Sequence, residues 1–185
     1  RFCKEPISPR YPLIELCGGL LAMLCFYRYG FTWMTLVSFV LAMILLTITM
    51  IDFDTMIIPD GLNIAMLLVS IVLMYVRHMS LLESIIGMFC ISVPMILLNV
   101  LIAESFGGGD IKLMFVSGIA LGWKYSLLAA FIGILLAGSY SIYLLVSKKI
   151  NKKGHIAFGP YLSIGIFIAL SYGSEIISWY LNLMM

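Results

Sequence analysis

Long apolar runs, each about the length of one membrane crossing and separated by short polar clusters, dominate this 185-residue chain. A hydrocarbon core of about 30 Å takes roughly 20 apolar residues of helix. On that measure the runs predict helical spans at 12–29, 31–52, 61–77, 81–103, 110–122, 124–147 and 157–184. The fifth is short and ends where Trp123 and Lys124 reach an interface. The last contains Gly173-Ser174-Glu175, where a break into two pieces is expected. Pro94 lies in the middle of the fourth span, where lipid-embedded helices tolerate a kink. The runs are continuous rather than alternating, so a membrane β-barrel is not the expected class. The predicted fold is an all-α, polytopic transmembrane bundle of about seven spans, without a separate soluble domain or internal repeat.

Composition supports this reading. Hydrophobic residues make up 63% of the chain and charged residues 11%, against about 25% charged in soluble domains. The net charge of +2 carries less information than its placement. Seven spans put Arg1, Lys4, Arg10, Lys112, Lys148, Lys149, Lys152 and Lys153 on one side, and Arg28, Arg77 and Lys124 on the other. The positive-inside rule then makes the first side cytoplasmic. The lysine-rich run at 148–153 is a topology anchor facing anionic lipid and needs no nucleic-acid partner. Cys17, Cys25 and Cys90 fall in apolar runs and read as inert core residues. Cys3 stands in a polar segment.

Five acids gather around two turns on the cytoplasmic side: Asp52, Asp54, Asp60, Glu104 and Asp110. Carboxylates at a membrane boundary mark function by default. Asp52 ends a long apolar helix. Asp54 is expected to face water. Asp60, just after Pro59, is expected to cap the helix that follows. The second turn reads Glu104-Ser105-Phe106-Gly107-Gly108-Gly109-Asp110-Ile111-Lys112, in which three glycines allow close backbone approach. Asp110 then opens a helix, and by itself it could serve as no more than an N-cap. No Gly-Lys-Ser/Thr follows, so the turn is not a P-loop.

Two carboxylates on one face can share a proton. The ionised member takes a proton from water while the protonated member polarises an amide carbonyl. The chain offers no competing hydrolytic apparatus. His78 falls on the outer side, His155 sits in the basic loop, and neither belongs to a His-Glu-x-x-His motif. A transporter moving protons or cations on intramembrane carboxylates is the alternative, but these acids lie at one face rather than mid-membrane. A Mg²⁺-dependent lipid-processing enzyme would also use an acidic cluster, yet Asp60-Gly61 lacks the Asp-Gly-x-x-Ala-Arg context.

At both turns the chain resembles the type IV prepilin peptidases, membrane aspartic enzymes. Asp52, Pro59 and Asp60 match their first motif, and Gly107, Gly109, Asp110 and Lys112 match their Gly-x-Gly-Asp-x-Lys. The segments Ile7–Pro12 with Glu15, and Phe158-Gly159-Pro160-Tyr161, also resemble the family. The resemblance implies that Asp52 and Asp110 are the catalytic pair, with Asp54, Pro59, Asp60, Glu104, Gly107, Gly109 and Lys112 in support. It implies cleavage of the basic leader of a prepilin or pseudopilin, between Gly and usually Phe, at the cytoplasmic face of the bacterial inner membrane. No cofactor is implied for that step.

Many members also N-methylate the new amino terminus with S-adenosylmethionine. These carry a further first helix and a loop with two Cys-x-x-Cys pairs that resemble a structural zinc site. On this reading residues 1–11 are the tail of such a loop, residues 12–185 are the peptidase domain, and Cys3 is the last of four metal-binding cysteines. The sequence leaves the oligomeric state open.

Overall fold

The computed structural model describes residues 9–102, 106–147 and 156–184, and six helices account for nearly all of them. They are α1 (Arg10–Tyr29), α2 (Trp33–Thr55), α3 (Asp60–Val76), α4 (Leu81–Leu101), α5 (Gly108–Val146) and α6 (Gly159–Met184). Among the described residues there is no strand. All of these helices except α3, which has 17 residues, are long and apolar enough to cross a bilayer by length and composition. The chain is a multi-pass, all-helical membrane protein.

α5 does not run straight. Gly122 has φ 69° and ψ 174°, a conformation open to glycine and strained for residues with a Cβ. The break falls where Trp123 and Lys124 predict the end of a span. It divides α5 into limbs at 108–121 and 123–146. A broken helix frees carbonyls at its end, and in lipid each free group costs several kcal/mol. Two side chains take them up. Arg77, just after α3, donates to the Ala120 carbonyl at 2.6 Å, and Ser84 of α4 donates to the Ile119 carbonyl at 3.0 Å.

The first limb runs antiparallel to α4. Gly87 and Gly118 meet there so closely that a Cβ on either would lie 2.3 Å from the other's carbonyl oxygen. Lipid supplies no hydrophobic drive between helices, so contact of this kind depends on small residues. The second limb runs antiparallel to α6, with Gly173 against the Tyr125 ring and Tyr140 beside Tyr161. α6 is continuous across 173–175, contrary to the expected break. A Cβ on Gly173 would lie 2.6 Å from the Tyr125 ring, so this glycine makes room for an aromatic side chain inside an unbroken helix. Pro94 likewise lies inside α4, which continues to Leu101.

α5 is the hub. Leu113 and Met114 of its first limb are fully buried in one core with Leu41, Leu45 and Ile48 of α2, Met66 and Leu73 of α3, Met95 of α4, and Leu162 and Ile166 of α6. Phe131, Ile134 and Ile142 of its second limb stay exposed, as side chains facing lipid do. At one end of the bundle Arg28 pairs with Glu175. The other end gathers the start of α1, the end of α2 and the starts of α3, α5 and α6.

Candidate active site

Helical periodicity sorts the acids before any contact is considered. The buried residues of α2 are Ser38, Leu41, Ala42, Leu45, Ile48 and Asp52, a single stripe at three- and four-residue spacing. Asp52 is therefore the last member of the face that packs inward, and it is 4% exposed. Asp54, two residues on, points to the opposite side of the helix. The same rule operates on α5. Asp110 opens the stripe continued by Leu113, Met114 and Ser117 and is 7% exposed, whereas Lys112 points outward.

The outward acids are held by cations. Asp54 accepts from Arg10 of α1 at 2.8 Å rather than simply facing water. Asp60 accepts from Lys112 Nζ at 2.6 Å and makes no capping hydrogen bond. The N-cap of α3 is Pro59, so the capping role expected of Asp60 is replaced by an ion pair joining the two acidic motifs. Asp110 is not an N-cap either. Gly107 holds that position, and a Cβ there would lie 3.0 Å from Asp110 Oδ2, so the carboxylate lies close against the residue that opens the helix.

Two turns bring the stripes together. α2 ends at Met56 in a left-handed conformation, with its N–H on the Asp52 carbonyl. The extended stretch that follows drives Ile58 inward to 6% exposure. Ile58 lies so near Gly109 that a Cβ there would come within 2.8 Å of it. Its far end reaches Gly159, whose backbone N–H donates to Asp52 Oδ2 at 3.0 Å. The first N–H groups of a helix have no internal partner and attract negative charge, so the start of α6 orients Asp52. Gly109, which precedes Asp110, and Gly159, which holds Asp52, thus flank the one Ile58 side chain. Phe106, just before Gly107, is fixed by Asn99, whose side chain bonds both its N–H and its carbonyl. The Phe106 ring lies 5.5 Å from that of Phe158.

The structure thus places Asp52, Asp110, Gly107, Gly109, Pro59, Asp60, Asp54 and Lys112 at one end of the bundle, and among the described acids there only Asp52 and Asp110 are buried. Glu104, Cys3, the basic run at 148–153 and His155 lie outside the described residues, as do residues 1–8. Among the described residues no three His, Cys, Asp or Glu side chains converge as metal ligands. Three contributors carry no chemical signature in sequence: the Ile58 wedge, the Asn99 clamp and the Gly159 amide. Beside the family resemblance of Phe158-Gly159-Pro160-Tyr161, Pro160 is a local signal for the start of α6, since proline favours the first turn of a helix.

Residues 39–142 match the model of the type IV leader peptidase family. The chain belongs to that family. The matched stretch runs from α2 into the second limb of α5 and holds both buried aspartates, but it stops before α6 and its Gly159. Curated relatives named prepilin leader peptidase/N-methyltransferase align across nearly the whole chain. The one from Aeromonas hydrophila is 32% identical over 98% of this chain and 65% of its own length. That from Stutzerimonas stutzeri is 31% identical over 97% of this chain and 64% of its own, and that from Neisseria gonorrhoeae 27% identical over 97% and 65%. The chain therefore spans somewhat less than two thirds of these relatives. No solved structure matches it.

Proposed function

We propose that this chain is the peptidase part of a bacterial inner-membrane enzyme that removes the short basic leader of type IV prepilins or pseudopilins, with Asp52 and Asp110 as its catalytic pair. The observation that carries the reading is the sorting of the acids. Asp54 and Asp60 are exposed and paired with Arg10 and Lys112. Asp52 and Asp110 are buried on the inward stripes of two helices, without a cationic partner among the described residues. Membership of the leader peptidase family supports the same reaction class.

In this mechanism the pair holds one proton between two carboxyl groups. The ionised carboxylate takes a proton from water as its oxygen bonds to the scissile carbonyl carbon. The protonated carboxyl gives its proton to the carbonyl oxygen, forming a neutral tetrahedral diol. Collapse of the diol breaks the C–N bond: the proton taken from water passes to the departing amine, and the carboxylate that gave up its proton takes one from a diol hydroxyl, leaving a carboxylic acid and restoring the shared proton of the pair. The Gly159 amide keeps Asp52 oriented, and Ile58 keeps bulk water from the pair.

The site end carries Arg10 and Lys112, and the sequence adds the lysines at 148–153, so the positive-inside rule supports a cytoplasmic active site. For the whole protein, zinc at Cys3 and S-adenosylmethionine-dependent methylation remain proposals based on the family resemblance and the relatives' names, with no described residue assigned to them. The test of the reading is incubation of the purified chain in detergent with a synthetic prepilin leader peptide, followed by mass spectrometry. Scission at the leader junction is expected; an intact peptide under conditions where the protein stays folded overturns the reading.

A further inference from the structure

Asn63 is 5% exposed, and neither its amide nitrogen nor its carbonyl oxygen has a hydrogen-bond partner among the described residues. It stands one helical turn inward from Asp60, on the buried face of α3 that includes Met66, Ser70 and Leu73. That face packs against α2 and α5, the two helices that carry Asp52 and Asp110. The register is fixed by Asp60, which is held by Lys112, two residues beyond Asp110.

Other buried polar atoms in the bundle also lack partners: the hydroxyls of Ser38, Ser70, Ser126 and Ser163. A serine inside a helix can rotate to bond the carbonyl one turn back. Thr47, Ser139 and Ser141 do so here, on Met43, Leu135 and Ala137. A carboxamide has two separate polar ends, and one backbone carbonyl cannot satisfy both. Sealing both ends in an apolar interface is costly, and such groups are normally bonded to protein or to held water.

We propose that Asn63 is the water-positioning residue of the site, its carboxamide holding the attacking water against Asp52 and Asp110. A buried water takes about three hydrogen bonds. Two carboxyl groups and one carboxamide supply three polar partners of both kinds. The carboxyls exchange protons during the reaction, whereas the carboxamide does not titrate and offers a fixed donor and acceptor through every step. This inference rests on the peptidase reading above.

The experiment compares wild type, Asn63→Leu, Asn63→Gln and Asp110→Asn in detergent micelles, measuring kcat and KM on a prepilin leader peptide and the melting temperature of each. Asn63→Leu keeps the volume and removes the unpaired groups, so it should melt at or above the wild-type temperature. Its kcat should fall about 10- to 100-fold, the range for a displaced reactant, with KM within about twofold. Asn63→Gln restores the carboxamide and should recover part of kcat. An Asn63→Leu kcat within about twofold of wild type overturns the inference. So does a loss of activity that follows the melting temperature in both variants, since that is structural damage. If wild type does not cleave, or Asp110→Asn does, the peptidase reading falls and this inference with it. If wild type cleaves, Asp110→Asn does not and Asn63→Leu is normal, only the role of Asn63 is lost.

Discussion

The backbone N–H of Gly159 donates to Asp52 Oδ2 at 3.0 Å, tying the first turn of the last helix to an acid 107 positions earlier. A Cβ at position 159 would lie 2.7 Å from that same oxygen and 3.2 Å from Ile58 Cδ1. Only glycine lets the amide come this close while Ile58 keeps its place.

Gly159→Ala should therefore act on Asp52 through displacement, without removing any catalytic group. Peptide cleavage is expected to fall at least about 10-fold, because a shift of an ångström at a reacting group is costly. Overpacking should lower stability by about 1–3 kcal/mol. Steady-state kinetics with thermal melting in the same detergent checks both, and a fully active Gly159→Ala would show that the contact does not position Asp52.

The contact between α4 and the first limb of α5 makes a sharper prediction about stability. Gly118→Ala places a Cβ 2.3 Å from a backbone oxygen of Gly87, which no rotamer change relieves. The helices must separate, at a cost of about 1–3 kcal/mol or more. Gly138, also in α5, has nothing within 4 Å of the corresponding position. Gly138→Ala should be neutral or stabilising by roughly 0.5–1 kcal/mol, as alanine is the better helix former. Melting temperatures that move together in the two variants would contradict the account of helix packing.

Asp54 is exposed and paired with Arg10, so its contribution to folding is small. Asp54→Asn should change stability by less than about 1 kcal/mol, the range of surface ion pairs. On the proposed function its charge attracts the basic leader. Asp54→Asn combined with Glu104→Gln should then raise KM for a leader peptide with kcat retained, and the rise should shrink at high salt. An apparent affinity unchanged at low salt would remove these acids from substrate capture.

The apolar runs make the helices legible in sequence because lipid imposes one length and one solution for the backbone. They also place the end of a limb at Gly122, through the Trp123-Lys124 pair. Asp52 and Asp110 stand out because a carboxylate bordering an apolar run is costly to keep there, and both are buried at the same end of the bundle. Asp60 is ambiguous in sequence, since an acid after a proline satisfies the rules for a cap and for an ion pair alike. Lys112, 52 residues away, decides between them. Gly173 resembles a breaker because its partner, the Tyr125 ring, is distant in sequence. Asn63, Ile58 and the Gly159 amide are not legible for the same reason. Their roles come from which helix faces them, and one chain without its packing does not say.

If Asp52 and Asp110 act as a pair, charge-removing isosteres at either position should abolish the chemistry while keeping the shape. Cleavage of a prepilin leader peptide by wild type, Asp52→Asn and Asp110→Asn should be measured in detergent, with and without EDTA, after each variant is shown to melt as a folded protein. Chelator-insensitive cleavage by wild type is expected, with a loss of about 10²-fold or more in each variant, since each removes one half of the acid–base exchange. Near-normal cleavage by either folded variant, or wild-type activity abolished by EDTA, would contradict the pairing.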